Sequence, residues 1–462
     1  MASMGPVRRT SFTEKNLTAG AFALVLWATA MAFIGCHSKS GNTAPQPVTI
    51  SFIGWGPATL SELTADRSVL SQFTQKTGIQ VKLMVGPESM TDRLQLYLDA
   101  LERKSSTPDV LYTDVVWPGV LADYLIDLRP YSADGVQLVM PKAVNNDTVD
   151  GRLVAMPFNA EVGLLYYRSD LLAKYGFKEP PETWDELAQM ARRIQGGERA
   201  EGRKDFWGYV WQGAAYEGLT CNALEWQASS GGGKIIEDDG TISVNNPQTA
   251  KALKMAKSWL GTISPPSVLA FKEADAQNIW DSGNAAFRRD WVWRGNPMEK
   301  LPEAAYVGKF GITVPPSGGT GHASVLGGQS LAVSKFSVHP REAAELVRYL
   351  TSREVQMQQW QGGSMLPVLT EFYQDPKYFA SRPGLERLKD IITGGAITRP
   401  STITGRRYAE VSKAYYSAVH SVLAGEVTAE KAMADLEVEL VRITGFKTEK
   451  LKQNVKPSDG SH

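Results

Sequence analysis

Apolar positions along the chain recur at two periods, and the switches between them mark the elements. PVTISFIGWG (Pro47 to Gly56) is β-branched and aromatic and reads as a first buried strand. In SELTADRSVLSQFTQKTG, Leu63, Val69, Leu70 and Phe73 fall at helical spacing, and Gly78 is a stop signal. IQVKLMV predicts a second strand, MTDRLQLYLDALER an amphipathic helix and PDVLYTDVVW a third strand. This alternation predicts a three-layer α/β domain with a mostly parallel sheet. Val154 to Phe158 and VGLLYYR read as two further strands. Thr183 then opens a helix carrying Trp184, Leu187, Met190, Ala191 and Ile194 at spacings of three and four. A second α/β unit therefore begins near Asn159. It holds a helix through Cys221 to Ala228, broken by SGGGK, and the amphipathic helix NPQTAKALKMAKSWLGT. VGKFGITVPP and SVLGGQSLAVSK read as strands, HPREAAELVRYLTSREVQMQQWQ as one helix, and the C-terminal third as mostly helical.

With 462 residues, 43% of them hydrophobic, the chain exceeds what one core usually organises, so two lobes are expected. Its 49 basic and 49 acidic residues cancel, which argues against a nucleic-acid protein. The five histidines show no metal-ligand spacing, so a zinc site is not expected. At the N-terminus, Arg8, Arg9 and Lys15 precede the apolar run AGAFALVLWATAMAFIG, which ends in FIGC. This resembles a bacterial lipobox with Phe33 in place of the usual Leu. The resemblance implies a lipoprotein signal peptide at 1–35, cleavage before Cys36 and lipidation of that residue. Residues 36–46 read as a flexible tether and 451–462 as a flexible tail. Cys221 is then left without a partner and reads as a small buried hydrophobe.

No G-x-S-x-G elbow, P-loop or strand-linked G-x-G-x-x-G is present. Asp114, Glu161, Glu217 and Asp290 stand in aromatic surroundings. Two such carboxylates could serve a glycosidase as acid and nucleophile, or could accept hydrogen bonds from sugar hydroxyls; the residues alone leave both open. AAFRRDWVWRG sets Trp291 and Trp293 one residue apart, on one face if the stretch is a strand. Aromatic rings pack on the C–H faces of sugars, while carboxylates, Asn and Arg bind the hydroxyl edges. Trp55 and Trp117 are also of a suitable type. Trp207 and Trp211 read as core of the second lobe, and Arg288 and Arg289 as solvated or salt-bridged.

The passages PPETWDELAQMARRIQGGER, DFWGYVWQGAAYEGLTCNALEWQASSGG, DVLYTDVVWPGVLADYLIDLRPY, GLLYYRSDLLAKYGF, GNAAFRRDWVW and VLGGQSLAVSK resemble the trehalose/maltose-binding lipoproteins (extracellular solute-binding protein family 1) of carbohydrate ABC importers. The resemblance runs from about Pro47 to the C-terminal helices. It implies ligand-binding roles for Glu62, Ser89, Arg93, Asp114, Glu161, Trp291, Gly328 and Arg399. Asn159 stands where the family can have Tyr, Asp290 where it has Asn, Trp293 where Tyr is frequent and Gln329 where it has an aromatic. Glu217, in YEGL, is a ligand-binding or buried structural residue. RPSTITGRRY is longer than the family's run, which leaves Arg406 and Arg407 unassigned.

The implied fold is α/β, a two-lobe periplasmic-binding-protein fold of type II with three-layer α/β/α lobes joined by a hinge. Lobe 1 would comprise 47–158 plus 310–363, and lobe 2 159–309 plus 364–450. The implied function is an exported, lipid-anchored monomer that captures a disaccharide such as trehalose or maltose between its lobes and delivers it to permease subunits, without catalysis and without a cofactor. The alternative from a different class is a secreted glycoside hydrolase.

Overall fold

One mixed sheet runs through the molecule, and its strands are β1 (Thr49–Gly54), β2 (Gln80–Val85), β3 (Val110–Asp114), β6 (Met156–Arg168), β7 (Trp207–Val210), β8 (Ala285–Trp291), β9 (Phe310–Thr313) and β10 (Leu326–Val333). Between β3 and β6 lies a separate two-stranded hairpin of β4 (Thr148–Val149) and β5 (Arg152–Leu153). The computed structural model describes residues 47–54, 67–87, 90–132, 135–292, 309–361, 365–378 and 386–448. The strand order is β2-β1-β3-β10-β6-β8-β7, with β9 also paired to β6.

The sheet departs from the mostly parallel expectation. Among the described strands, parallel pairing is confined to β1 with β2 and β3, and to β7 with β8. β10 returns from late in the chain to insert antiparallel between β3 and β6. The two strands expected around Val154–Phe158 and VGLLYYR are one strand, β6, whose N-terminal half pairs with β10 and whose C-terminal half pairs with β8 and β9. Its polar middle, Asn159 to Glu161, is buried and bonded within the sheet and so does not interrupt it.

Helices α1 (Arg67–Thr77) and α2 (Met90–Glu102) follow β1 and β2. α1 turns Val69 and Phe73 into the core with Ile50 and Phe52 of β1. α3 (Trp184–Ala200) is fixed at its start by a capping box between Thr183 and Glu186. α4 (Glu217–Ser229) is buried almost all round, which suits a helix at the centre of a domain. α5 (Pro247–Trp259) packs on it. The single helix expected from HPREAAELV onward is two, α6 (Pro340–Leu350) and α7 (Arg353–Gln361). Thr351 bonds back to the Val347 carbonyl and the Ser352 hydroxyl accepts the Val355 amide, so the pair ends one helix and caps the next. α8 (Tyr408–Ala424) and α9 (Ala429–Thr444) close the described chain. They join a core of Trp184, Tyr209, Trp211, Trp226 and Trp259. Trp211 is buried there as expected, whereas Trp207 is half-buried with the Arg199 guanidinium 4.3 Å from its ring.

Candidate functional site

β3, β10, β6 and β8 lie side by side, and the residues singled out in the sequence cluster where they meet. Asp114 ends β3 and stands in register with Gln329 of β10, which stands in register with Asn159 of β6. The Asn159 carbonyl oxygen of the amide accepts the Gln329 backbone N–H at 2.8 Å, and its Nδ2 donates to Glu161 Oε1 at 3.3 Å. The Gln329 side chain accepts from the Tyr112 hydroxyl at 3.1 Å. Gly328 precedes a register shift in β10 and holds φ +112°. A Cβ there would lie 2.3 Å from the backbone carbonyl oxygen of Asn159, so the bend that presents Gln329 needs glycine.

Two arginines reach this cluster from outside the sheet. Arg399 is buried and donates to Glu217 Oε1 at 2.7 Å and to the Leu326 carbonyl at 3.1 Å. Glu217, in the first turn of α4, also accepts from the Tyr408 and Ser412 hydroxyls. Burial pushes the Asp114 carboxyl above its ordinary value, against the pull of Arg399. Arg93 is buried on α2, donates to the Pro87 carbonyl at 3.0 Å and lies 5.2 Å from the Trp117 ring centre. Trp117 itself is a core residue, edge-on to Tyr97, and not an open platform.

Trp291 ends β8 opposite Gly163 of β6 and is half-buried. Its neighbour Asp290 points to the other face of the strand, as successive strand residues must. There its Oδ2 lies 3.3 Å from Arg288 Nη2, and Arg288 lies over the rings of Tyr166 and Trp280. Burial raises the Asp290 carboxyl, with Arg288 opposing. Asp290 and Trp291 are thus adjacent in sequence but do not share a surface. Arg288 and Arg289 are 2% and 1% exposed, so the solvated reading fails and the salt-bridged one holds. Arg406 pairs with Asp123 and Arg407 donates to the Thr444 carbonyl. Cys221 is free and buried. Glu62, Ser89, Trp293, Trp55 and Cys36 lie outside the described residues.

Asp147 escaped the sequence reading. It lines a cavity together with Asn159, Gln329, Ser330 and Lys142. Its Oδ1 accepts from Asn146, while its buried Oδ2 has no hydrogen-bond partner among the described residues. Burial pushes its carboxyl up to about 7, against the opposing pull of the neighbouring Ser330 and Asn146 side chains. Nothing in VNNDTVDGR marks this residue, because its burial depends on strands far away in the chain.

The profile of the bacterial extracellular solute-binding protein family matches residues 68–386. The chain belongs to this family. A probable ABC transporter-binding protein of Deinococcus radiodurans is 44% identical over 377 residues, covering 81% of this chain and 89% of that one. The maltose-bound MalE3 of T. maritima superimposes with a TM-score of 0.75 at 33% identity, covering 86% of this chain and all (100%) of that one. The GacH receptor of Streptomyces glaucescens, at 21% identity, shares the fold with a TM-score of 0.74, over 87% of this chain and 100% of that one. The fold is that of type II periplasmic binding proteins. The chain is an exported solute-binding subunit of an ABC transporter and not an enzyme, so the hydrolase alternative falls.

Proposed function

We propose that this subunit binds a carbohydrate, a disaccharide such as maltose or trehalose, and hands it to the permease of a carbohydrate importer. The observation that carries the reading is the gathering of Asp114, Asn159, Glu161, Gln329 and Arg399 beside the half-buried indole of Trp291. Carboxylates, amides and a guanidinium suit hydroxyl edges, and an indole suits a C–H face. Likeness to a maltose-bound protein over its full length supports the choice. Lobes at 47–158 plus 310–363 and at 159–309 plus 364–450 would close on the sugar by hinge motion. Gln329 and Asn159 in place of aromatics reduce the stacking surface, which favours a sugar held more by its hydroxyls. A lipid on Cys36 would tether the mature chain to its membrane, which mass spectrometry of the exported protein tests directly.

Calorimetric titration of maltose, trehalose, sucrose and glucose, with product analysis, tests the binding reading. Saturable binding of a disaccharide recovered unchanged is the expected result. Absence of binding to all four would overturn it.

A further inference from the structure

Arg289 and Glu225 form a buried ion pair directly behind Trp291. Nε donates to Glu225 Oε2 at 3.0 Å and Nη2 to Oε1 at 2.6 Å, and the two side chains are 1% and 0% exposed. The Arg289 guanidinium carbon lies 4.2 Å from the Trp291 ring centre, close enough for a strong cation–π contact. Glu225 Oε1 also accepts the backbone N–H of Val325 at 3.1 Å, one residue before β10. The strand carrying the indole is held from both sides: Gln212 donates to the Arg289 carbonyl at 3.0 Å and the Tyr166 hydroxyl to the Trp291 carbonyl at 2.8 Å.

The backbone is cleared for this arrangement at two glycines. A Cβ on Gly163 would lie 1.9 Å from Glu225 Oε1 and 2.3 Å from Arg289 Nη2. A Cβ on Gly327 would lie 2.8 Å from Trp291 Cζ3. A buried ion pair is a weak source of stability, since an apolar pair of similar volume often does as well. Its position against one face of the ring is what an apolar pair would not reproduce.

We propose that Arg289 is a positioning residue for solute binding: locked by Glu225, it occupies one face of the Trp291 indole and fixes the ring's orientation, so that a sugar stacks on the part left exposed. This rests on the carbohydrate reading above. Loss of Arg289 alone would strand a buried carboxylate and threaten folding, so the informative variant is the double replacement Glu225→Leu/Arg289→Met, which removes both charges. Full mature protein labelled with fluorotryptophan is titrated with maltose and trehalose and followed by fluorine NMR, with the Trp291 signal assigned through Trp291→Phe. The expected result is about tenfold weaker sugar binding in the double variant. The Trp291 resonance shifts while those of Trp184, Trp226 and Trp259 stay in place, and Arg289→Lys recovers part of the affinity. Unchanged affinity and an unmoved Trp291 signal would overturn the proposal. So would weaker binding accompanied by shifts of all the core tryptophans, which would mark general loosening. A parent protein that binds none of the sugars would instead overturn the carbohydrate reading itself.

Discussion

Arg399 and Glu217 meet at 2.7 Å, and through this pair the loop ahead of Pro400 is fastened to the first turn of α4. Arg399 is buried and Glu217 partly open, so the guanidinium depends on its partner more than the carboxylate does. Replacing Arg399 by Ala removes a hydrogen bond to the Leu326 carbonyl as well as the ion pair. The expected cost is about 2–4 kcal/mol in stability, set by the polar groups left behind in the interior. Sugar affinity should fall more than tenfold by the same titration. Normal affinity in Arg399→Ala would remove this residue from the site.

Trp291→Ala should abolish measurable disaccharide binding while moving the melting temperature little, because the ring is half-buried at a strand end. Titration and thermal melts on one preparation separate the two effects. A large drop in melting temperature with binding retained would make Trp291 a core residue.

Gly328→Ala should be poorly tolerated. The backbone at +112° disfavours any side chain, and the added carbon would press on the Asn159 carbonyl. A loss of about 2 kcal/mol or more is expected, measured by denaturant unfolding. The clash falls on the backbone of Asn159, whose side chain accepts the Gln329 N–H, so sugar affinity should fall too.

Asp147 predicts a pH dependence with a definite sign. Its folded-state carboxyl titrates at about 7, against about 4 in an unfolded chain. Between these values the native state keeps a proton that the unfolded chain has released, so stability falls as pH rises across that window and levels off above it. Asp114, raised by the same burial, acts in the same direction. Asp147→Asn should therefore melt higher than the parent near pH 8, with a shallower slope of melting temperature against pH. Parallel slopes in the two proteins would assign the proton to another group.

Much of this could be read from the residues, and the exceptions share a cause. β1, β3 and the start of α3 follow from local composition and from Thr183 and Glu186, which are near neighbours in sequence. Asp114 was identifiable as a carboxylate in aromatic surroundings, and Trp291 as an indole beside charge. Arg289 stays open between a solvated and a salt-bridged role in the sequence because its partner Glu225 is 64 residues away. Asp147 went unseen, and Trp117 looked available, because both are decided by what packs over them. The continuity of β6 was hidden by Asn159 and Glu161, whose polar side chains are satisfied only once β10 has arrived from much later in the chain.

Helix α4 carries Glu217, Cys221 and Glu225 at intervals of four, hence along one stripe. One end holds Arg399 and the other holds Arg289 behind Trp291. The spacing between a cation that would grip a sugar's rim and the ring that would carry its flat side is therefore ruled off by turns of a single buried helix. Such a gauge has fixed graduations: inserting or deleting one residue would rotate one carboxylate about 100° away from its arginine. New solute preferences in this lineage are thus expected to arise by exchanging side chains at the two ends of the gauge, with its length left untouched.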